Sequence, residues 1–232
     1  FAPYESVNAA AIAPEYDLGG GAWTPFSALP IVLIYNTKLV RQNLPLGWAS
    51  LLDAGWRGRI AFADPTVSGS SYTALSTLLQ ALGGDTQETL AAFVRNLDGQ
   101  VISDSGGVVE AVASGRCYIG VTLEENARKA VADGLDVAIV YPVEGTSILP
   151  DGAAVIRGCA HEENARAFID FLLEPEVQRL LTDSLSRRSV RGDIADRTAA
   201  AGTALDYDLT WANDARRSVL ESWSALCGEA VR

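Results

Sequence analysis

The chain alternates between short hydrophobic runs and longer segments in which hydrophobic residues recur every three or four positions. The short runs are rich in β-branched and aromatic residues and are bounded by glycine, proline or asparagine, which is typical of strands. Residues 1–22 contain two prolines and three consecutive glycines and are predicted to form loops and turns. The predicted strands are Leu29–Asn36, Arg59–Pro65, Val101–Ile102, Cys117–Leu123, Val137–Pro142 and Gly152–Gly158.

The segments with helical spacing lie between these strands and after them. Several begin with small hydroxyl or acidic residues and stop at glycine. In one of them Ala165, Phe168, Ile169 and Leu172 share a face, which marks the apolar side of an amphipathic helix. The predicted helices are Trp48–Leu52, Ser68–Gly83, Thr86–Leu97, Gly107–Ser114, Glu124–Asp133, Glu162–Leu173, Glu176–Leu181 and Trp211–Leu226.

The alternation of strands and helices predicts the α/β fold class, with a mixed sheet covered by helices on both faces. In sheets of this kind ligands bind beyond the carboxyl ends of the strands, opposite the N-termini of helices. Candidate binding residues are therefore sought in the loops that follow strands.

Composition and charge exclude several classes of partner. The chain has 232 residues, of which 48% are hydrophobic and 20% charged, as in ordinary globular proteins. No apolar run approaches the roughly 20 residues that cross a bilayer, so no direct membrane insertion is predicted. The formal net charge of −11 argues against nucleic acid as a partner. The negative net charge does not argue against a small anionic ligand, because a local site on an acidic protein can be rich in hydrogen-bond donors.

The residues that usually carry catalysis or hold metals form no recognisable constellation. Cys117, Cys159 and Cys227 are widely spaced, so no zinc site is expected, and Cys117 is predicted to be a core residue. His161 stands alone before a helix and is expected at the surface, and Asp64 is expected to serve a turn. No nucleophile elbow, phosphate loop or zinc-helix motif is present. The chain is therefore predicted not to be an enzyme and to need no cofactor.

The strongest candidate site is the run Ser68, Gly69, Ser70 and Ser71, which follows a predicted strand and opens a helix. Such a start offers backbone N–H groups, hydroxyl donors and the positive end of the helix dipole, which suit a phosphate, phosphonate or carboxylate. Glycine lets the ligand approach the backbone closely. The alternative is an ordinary serine N-cap.

Ser105 and Gly106, with Asp104 beside them, form a second candidate of the same kind, since they also open a helix after a strand. Two such starts could hold one anion from two sides. A helix capped after a glycine turn is the alternative.

Five phrases occur in an order that resembles the iron(III), sugar-phosphate and phosphonate branch of the type 2 periplasmic binding proteins, the solute-binding components of ABC importers. The resemblance covers roughly residues 1–190. The phrases are FSALPIVLIYNTKLV, GWASLLDAGWRGRIAFADPTVSGSSYTAL, ISDSGGVVEAVASGRCYIGVTLEENARKAVADG, VAIVYPVEGTSILPDGAAVIRGC and NARAFIDFLLEPEVQRLL.

The resemblance implies two α/β lobes joined by two hinge strands, with the ligand held between the lobes. It assigns residues 1–34 to a remnant of lobe 1 and the first hinge strand, and residues 35–142 to lobe 2. Residues 143–205 form the second hinge and the rest of lobe 1, and residues 206–232 the last helix. The stretch Phe1–Thr24 is similar to the segment just ahead of the first hinge. We therefore expect a fragment that lacks the opening of lobe 1.

Further candidate ligand residues follow from the resemblance. Glu124 and Glu125 stand near the point where the ferric-binding members place adjacent tyrosines. This chain has no paired tyrosines, which counts against iron(III). Carboxylates there could hold a hydroxyl or an ammonium group of the ligand, or could simply favour the helix dipole.

The two hinges add other candidates. Trp23 lies at the first hinge and could stack on a ligand, and Glu144 and Thr146 lie at the second. Arg188, in the loop after the last helix of lobe 1, would suit a phosphate. A turn, a buried aromatic ring and a solvated basic run are the respective alternatives.

The function expected from these observations is capture of a small polar, anionic solute, with a phosphate or phosphonate group, for an ABC permease in the membrane. The expected location is periplasmic or extracellular. The alternatives are a ferric-iron-binding transport protein and a ligand-sensing module on the same fold.

Overall fold

The computed structural model describes residues 1–194 and 203–230, with side chains to residue 228. These residues form two compact units. Unit 1 consists of residues 1–29 and 148–194, and unit 2 consists of residues 30–147 and 203–230. No helix in these ranges is long and apolar enough to cross a membrane.

The strands form a mixed sheet in the order β3-β2-β4-β1-β5, and β6 pairs with β1. β2 runs parallel to β3 and β4, whereas β1 runs antiparallel to β4 and β5. β2, β3, β4 and β5 therefore all point the same way. The strands are β1 (Thr24–Asn36), β2 (Ile60–Ala63), β3 (Val101–Ile102), β4 (Ile119–Leu123), β5 (Val137–Val140) and β6 (Ile148–Ala153).

Seven α-helices accompany the strands in the described ranges, with short 3-10 turns such as Trp48–Leu52 between them. The helix Thr86–Leu97 has the predicted bounds because Asp85 caps its start by accepting from the N–H groups of Gln87 and Glu88. The helices are α1 (Gly69–Leu82), α2 (Thr86–Leu97), α3 (Ser105–Ala113), α4 (Glu124–Ala132), α5 (Glu162–Leu172), α6 (Pro175–Leu185) and α7 (Leu209–Ala230).

Both faces of the unit 2 sheet are buried, which confirms the predicted helices on both sides. On β1, Ile31 and Leu33 belong to a hydrophobic cluster with side chains of α1, α2 and α7. The intervening Val32 and Ile34 belong to a second cluster with side chains of α3 and α4. Successive strand residues point to opposite faces, so a strand buried on both faces reads as a continuous apolar run.

The unit boundaries differ from the predicted division after residues 34 and 142. The units divide after residue 29 and after residue 147. Residues 143–147 stay with unit 2 because hydrogen bonds hold them there: Thr146 donates to the Ile31 carbonyl at 2.7 Å and Ser147 accepts from Thr77 at 2.7 Å. The helix α7 also belongs to unit 2, where Val219 and Trp223 enter the first cluster.

In unit 1 one strand prediction is wrong, and one predicted helix face is only partly covered. The strand predicted at Gly152–Gly158 lies earlier, at Ile148–Ala153, and Val155 makes only an isolated bridge with Ala2. In α5 the predicted apolar face is incompletely covered: Ile169 is buried, but Phe168 is 57% exposed. Helical periodicity specifies which side chains share a face and leaves open what packs against it.

Candidate functional site

The carboxyl ends of β2, β3, β4 and β5 meet at one edge of the unit 2 sheet, as their common direction requires. The helices α1, α3 and α4 begin at this edge, after β2, β3 and β4. The predicted residues from Ser68 to Ser71, with Ser105, Gly106, Glu124 and Glu125, are thereby brought to the same side of the sheet. This is where α/β sheets bind ligands.

At the start of α1, Ser68 is the N-cap residue. Its hydroxyl accepts from the Ser71 N–H at 3.3 Å and from the Ser71 hydroxyl at 3.0 Å, and it lies 3.1 Å from the Ser70 hydroxyl. Gly69 is exposed, and a Cβ built on it meets no atom within 4 Å. The capping interpretation therefore holds for Ser68, while Gly69 faces open space and Ser70 is half-buried at the same helix N-terminus.

The start of α3 already contains an anion. Asp104 caps this helix by accepting from the Gly107 N–H at 2.8 Å, and Ser103 donates to its other oxygen at 3.0 Å. The hydrogen bond from Gly107 is the largest cause that holds the pKa of Asp104 below its ordinary value. A fixed carboxylate beside Ser105 and Gly106 opposes a second anion, so this candidate gains less support than α1.

The start of α4 carries a buried ionic cluster. The Glu124 side chain is 1% exposed and accepts from Arg128 at 3.1 Å, and it also accepts from the Tyr141 hydroxyl. Burial, followed by the Glu124 carboxylate, raises the pKa of Tyr141 above its ordinary value, so this hydroxyl keeps its proton at neutral pH. Glu125 is only half-buried beside this cluster. Sequence reasoning missed Arg128 and Tyr141, although Arg128 stands four residues after Glu124, the spacing of helix ion pairs.

Glu144 and Thr146 make contacts inside unit 2. The Glu144 carboxylate accepts from the N–H groups of Trp48 and Ala49 at 3.0 and 2.9 Å, and so caps the 3-10 turn that begins there. Thr146 is buried and donates to a carbonyl of β1, that of Ile31. Both side chains thus hold unit 2 together.

Trp23 and Arg188 lie in unit 1. Trp23 is half-buried, and a Cβ built on Gly152 would lie 2.4 Å from its ring, so the ring packs directly on that glycine. The Arg188 carbonyl accepts from the Ala28 N–H at 2.9 Å. Its neighbour Arg187 binds Asp151 at 2.7 Å and Ser27 at 3.0 Å.

Several residues outside the candidate site lie where the sequence predicted. Cys117 is buried in the second cluster of unit 2, and His161 is exposed immediately before α5. Asp64 accepts from the N–H and the hydroxyl of Thr66 in the turn after β2. A pocket of about 220 Å³ in unit 2 is lined by Asp64, Cys227 and apolar residues, where burial raises the pKa of the Cys227 thiol. In the described residues no group of three or more His, Cys, Asp and Glu side chains is placed to hold a metal ion.

These features define a class: α/β proteins in which helix starts gather at the carboxyl edge of a mixed sheet. The sequence matches the family described as bacterial extracellular solute-binding protein over residues 1–202, and the chain belongs to this family. This confirms the resemblance noted from the five phrases.

Individual curated relatives have less than 30% sequence identity to this chain. The chain is 29% identical to the phosphoglycerate transport regulatory protein PgtC of Salmonella typhimurium, over 66% of this chain and 38% of that protein. It is 26% identical to iron uptake protein A1 of Synechocystis, over 79% of this chain and 54% of that protein. The chain thus spans about half the length, or less, of these curated relatives.

A solved structure shows the same fold. The periplasmic binding protein AfuA from Actinobacillus pleuropneumoniae, with fructose-6-phosphate bound, matches 98% of this chain and 76% of its own, with a TM-score of 0.86 and 22% identity. At 22% sequence identity, this structural similarity establishes that the two proteins share a fold.

Proposed function

We propose that the chain is the solute-capturing part of an ABC import system and that it binds a phosphate- or phosphonate-bearing solute at the start of α1. The observation that carries the proposal is a contrast among the three helices that begin at the carboxyl edge of the sheet. α3 is capped by Asp104 and α4 begins with Glu124 and Glu125, whereas the first turn of α1 contains no acidic residue and is capped by a neutral hydroxyl.

The contrast matters because the partial positive charge at the N-terminus of a helix attracts negative charge to its first turn. A carboxylate from the protein satisfies that attraction at α3 and α4. At α1 the exposed Gly69 and the Ser70 hydroxyl leave the first turn open to an anion from solution. The relatives named for phosphoglycerate and bound to fructose-6-phosphate support an anion that contains phosphorus.

The proposed partner is a membrane permease, and the proposed location is the periplasm or the cell exterior, as the family description and the names of relatives suggest. Catalysis forms no part of the proposal, because the family consists of solute-binding transport components.

Gly69→Ala tests the site without altering the fold. The added methyl group meets no protein atom, and the Gly69 backbone is not in the left-handed region, so the folded state is retained. The methyl group would obstruct a ligand that approaches the backbone of the first turn. Losing a hydrogen bond to a charged group is worth about 1.5–3 kcal/mol, so affinity should fall by about 10- to 100-fold.

The measurement is isothermal titration calorimetry with methylphosphonate, glycerol 3-phosphate, 2-aminoethylphosphonate and ferric citrate. The matched control is Gly228→Ala, also in a helix and also with open space around its new Cβ. Binding of phosphorus compounds that weakens only in Gly69→Ala supports the proposal. Binding of ferric citrate alone, or equal binding by both variants, contradicts it.

A further inference from the structure

The cavity of about 220 Å³ in unit 2 lies beside β3, the outermost strand in the sheet order. The last turn of α2, the turn that leads into β3, and α7 bound it. Its floor belongs to the first hydrophobic cluster, in which Leu97 and Trp223 are almost fully buried. The apolar residues that line the cavity are Val94, Leu97, Val101 and Trp223.

The turn between α2 and β3 helps to keep this space open. Asp98 and Gly99 both have positive φ values, of 49° and 81°, so the chain leaves α2 sharply. Gly99 lines the cavity, and a Cβ built on it meets no atom within 4 Å. An apolar cavity of about 150 Å³ suffices to bind benzene. The space in unit 2 therefore accommodates an aromatic ring with a short chain.

Asp64 adds one carboxylate to the apolar lining. One of its oxygens accepts from the N–H and the hydroxyl of Thr66 at 2.8 and 2.7 Å, and in the described part of the chain the other oxygen has no hydrogen-bond partner. The carboxylate lies close enough to the Cys227 thiol, which also lines the cavity, for its charge to act together with burial in raising the pKa of that thiol. Cys227 is therefore a neutral part of the wall at neutral pH.

The combination of apolar walls and one carboxylate specifies the charge of a fitting ligand. Binding cavities are mostly apolar, with a few polar groups that fix the orientation of the ligand. No lysine or arginine is among the described residues that line this cavity. A charge is attracted or repelled more strongly beside apolar walls than in water. The cavity thus favours a cation over a neutral molecule and disfavours an anion.

We propose that this cavity is a second ligand site, which binds a small amine with an aromatic or aliphatic body against Trp223 and with its ammonium group at Asp64. The lining residues include none of Ser68–Ser71, and the proposed charge preference is opposite to that at the start of α1. The proposal therefore goes beyond the proposed function and does not depend on it.

The test is calorimetric titration at neutral pH with 2-phenylethylamine, 2-phenylethanol and 3-phenylpropionate, which share a ring and differ in charge. The wild-type chain should bind the amine at least about tenfold more tightly than the alcohol, the value of a hydrogen bond to a charged group, and should bind the carboxylate most weakly. Equal affinity for the amine and the alcohol would overturn the role of Asp64.

Asp64→Asn removes the charge and keeps an oxygen that can accept from Thr66, so the fold is retained. It should abolish the preference for the amine over the alcohol. Asp85→Asn is the matched control, because Asp85 also accepts from two N–H groups in a local turn but lies at the opposite end of α2. This control should keep the wild-type preference.

Cys227→Phe tests the location by filling the cavity, and it should abolish binding of the amine and the alcohol. Cys159→Phe makes the same change at a half-buried cysteine of unit 1 and should leave binding unchanged. Far-UV circular dichroism checks that each variant is folded, and Asp64→Asn tests the site independently of whether the larger residue is accepted. If the wild-type chain binds no amine, or if folded Cys227→Phe binds it as tightly as the wild type does, the proposal is overturned.

Discussion

Unit 2 buries aromatic and aliphatic side chains on one face of its sheet and aliphatic side chains on the other, whereas unit 1 buries hydrophobic and polar side chains in equal number among its described residues. The largest hydrophobic cluster of unit 1 contains only Ala28, Leu173 and Val190 as fully buried members. The buried hydrophobic residues of unit 1 are Ala28, Val155, Ile169, Leu173, Leu181 and Val190. Its buried polar residues are Ser6, Thr24, Ser27, Gln178, Ser189 and Arg191.

The buried polar residues of unit 1 connect its elements through hydrogen bonds, as hydrophobic contacts do in a core. Gln178 is fully buried, donates to the carbonyls of Phe26 and Leu172 at 2.7 Å each, and accepts from Ser189 at 2.6 Å. One amide thereby ties a strand, a helix and a loop together. Such networks stabilise the fold when every buried donor and acceptor has a partner. Removing one member leaves its partners without a hydrogen bond.

The comparison predicts the largest effect for a core residue of unit 2. Phe62 is 1% exposed and packs edge-on against Phe93 at 5.0 Å between ring centres, so Phe62→Ala should cost about 3–5 kcal/mol. Phe168→Ala in unit 1 is the control, with a cost below about 1 kcal/mol because Phe168 is largely exposed. Urea unfolding measures both costs. Equal costs would contradict the contrast between the two units.

An intermediate effect is expected for the amide in unit 1. Gln178→Ala removes the partner of buried carbonyl groups and should cost about 2–3 kcal/mol, with faster hydrogen exchange around α6. Gln80→Ala in unit 2 is the matched control. Gln80 makes two hydrogen bonds, both to the backbone of Asp208, but these are exposed and their loss should cost less than about 1 kcal/mol. A small cost at Gln178 would mean that unit 1 does not depend on its polar network.

The smallest effect is expected from acid titration of Asp170 in α5. Its carboxylate accepts from Ser6 at 2.6 Å, from Tyr4 at 2.7 Å and from the Val7 N–H at 3.1 Å. Burial acts to raise the pKa of Asp170, but these hydrogen bonds outweigh it and leave the pKa below the ordinary value of about 3.8. Because the folded-state pKa is depressed, the stabilisation is present above the unfolded pKa and is lost as the pH falls through the folded one.

Below about pH 4 we therefore expect residues 4–7 to loosen from α5, at a cost of about 1 kcal/mol, the value of a net hydrogen bond. Hydrogen exchange at the Val7 amide measures this loosening as a function of pH. In Asp170→Asn the exchange at this amide should already be faster at neutral pH and should no longer depend on this acid step. An unchanged acid profile in the variant would show that another group is responsible.

Sequence patterns predicted most of the elements of unit 2 and fewer of those of unit 1. The cause is the difference between the hydrophobic core of unit 2 and the partly polar interior of unit 1. Where a helix or strand packs against a hydrophobic core, its pattern of apolar residues predicts the element correctly. The helical spacing of α2 and the continuous apolar run of β1 are examples. In unit 1 the segment Ile148–Ala153 contains Pro150, Asp151 and Gly152 and lacks a strand pattern, yet it pairs as β6. Pairing with a neighbour overrode local preference there.

For the candidate site, the sequence predicted that Ser68–Ser71 form a serine-rich helix start and that this helix follows a strand. The sequence by itself determined the elements, their order and the helix starts that follow strands, because these depend on neighbours within a few positions along the chain. Only the tertiary structure decided which carboxylates are already engaged. Glu144 binds Trp48, 96 positions away, and Glu124 binds Tyr141, 17 positions away. Such contacts depend on the order of the strands in the sheet, and no short-range pattern encodes that order.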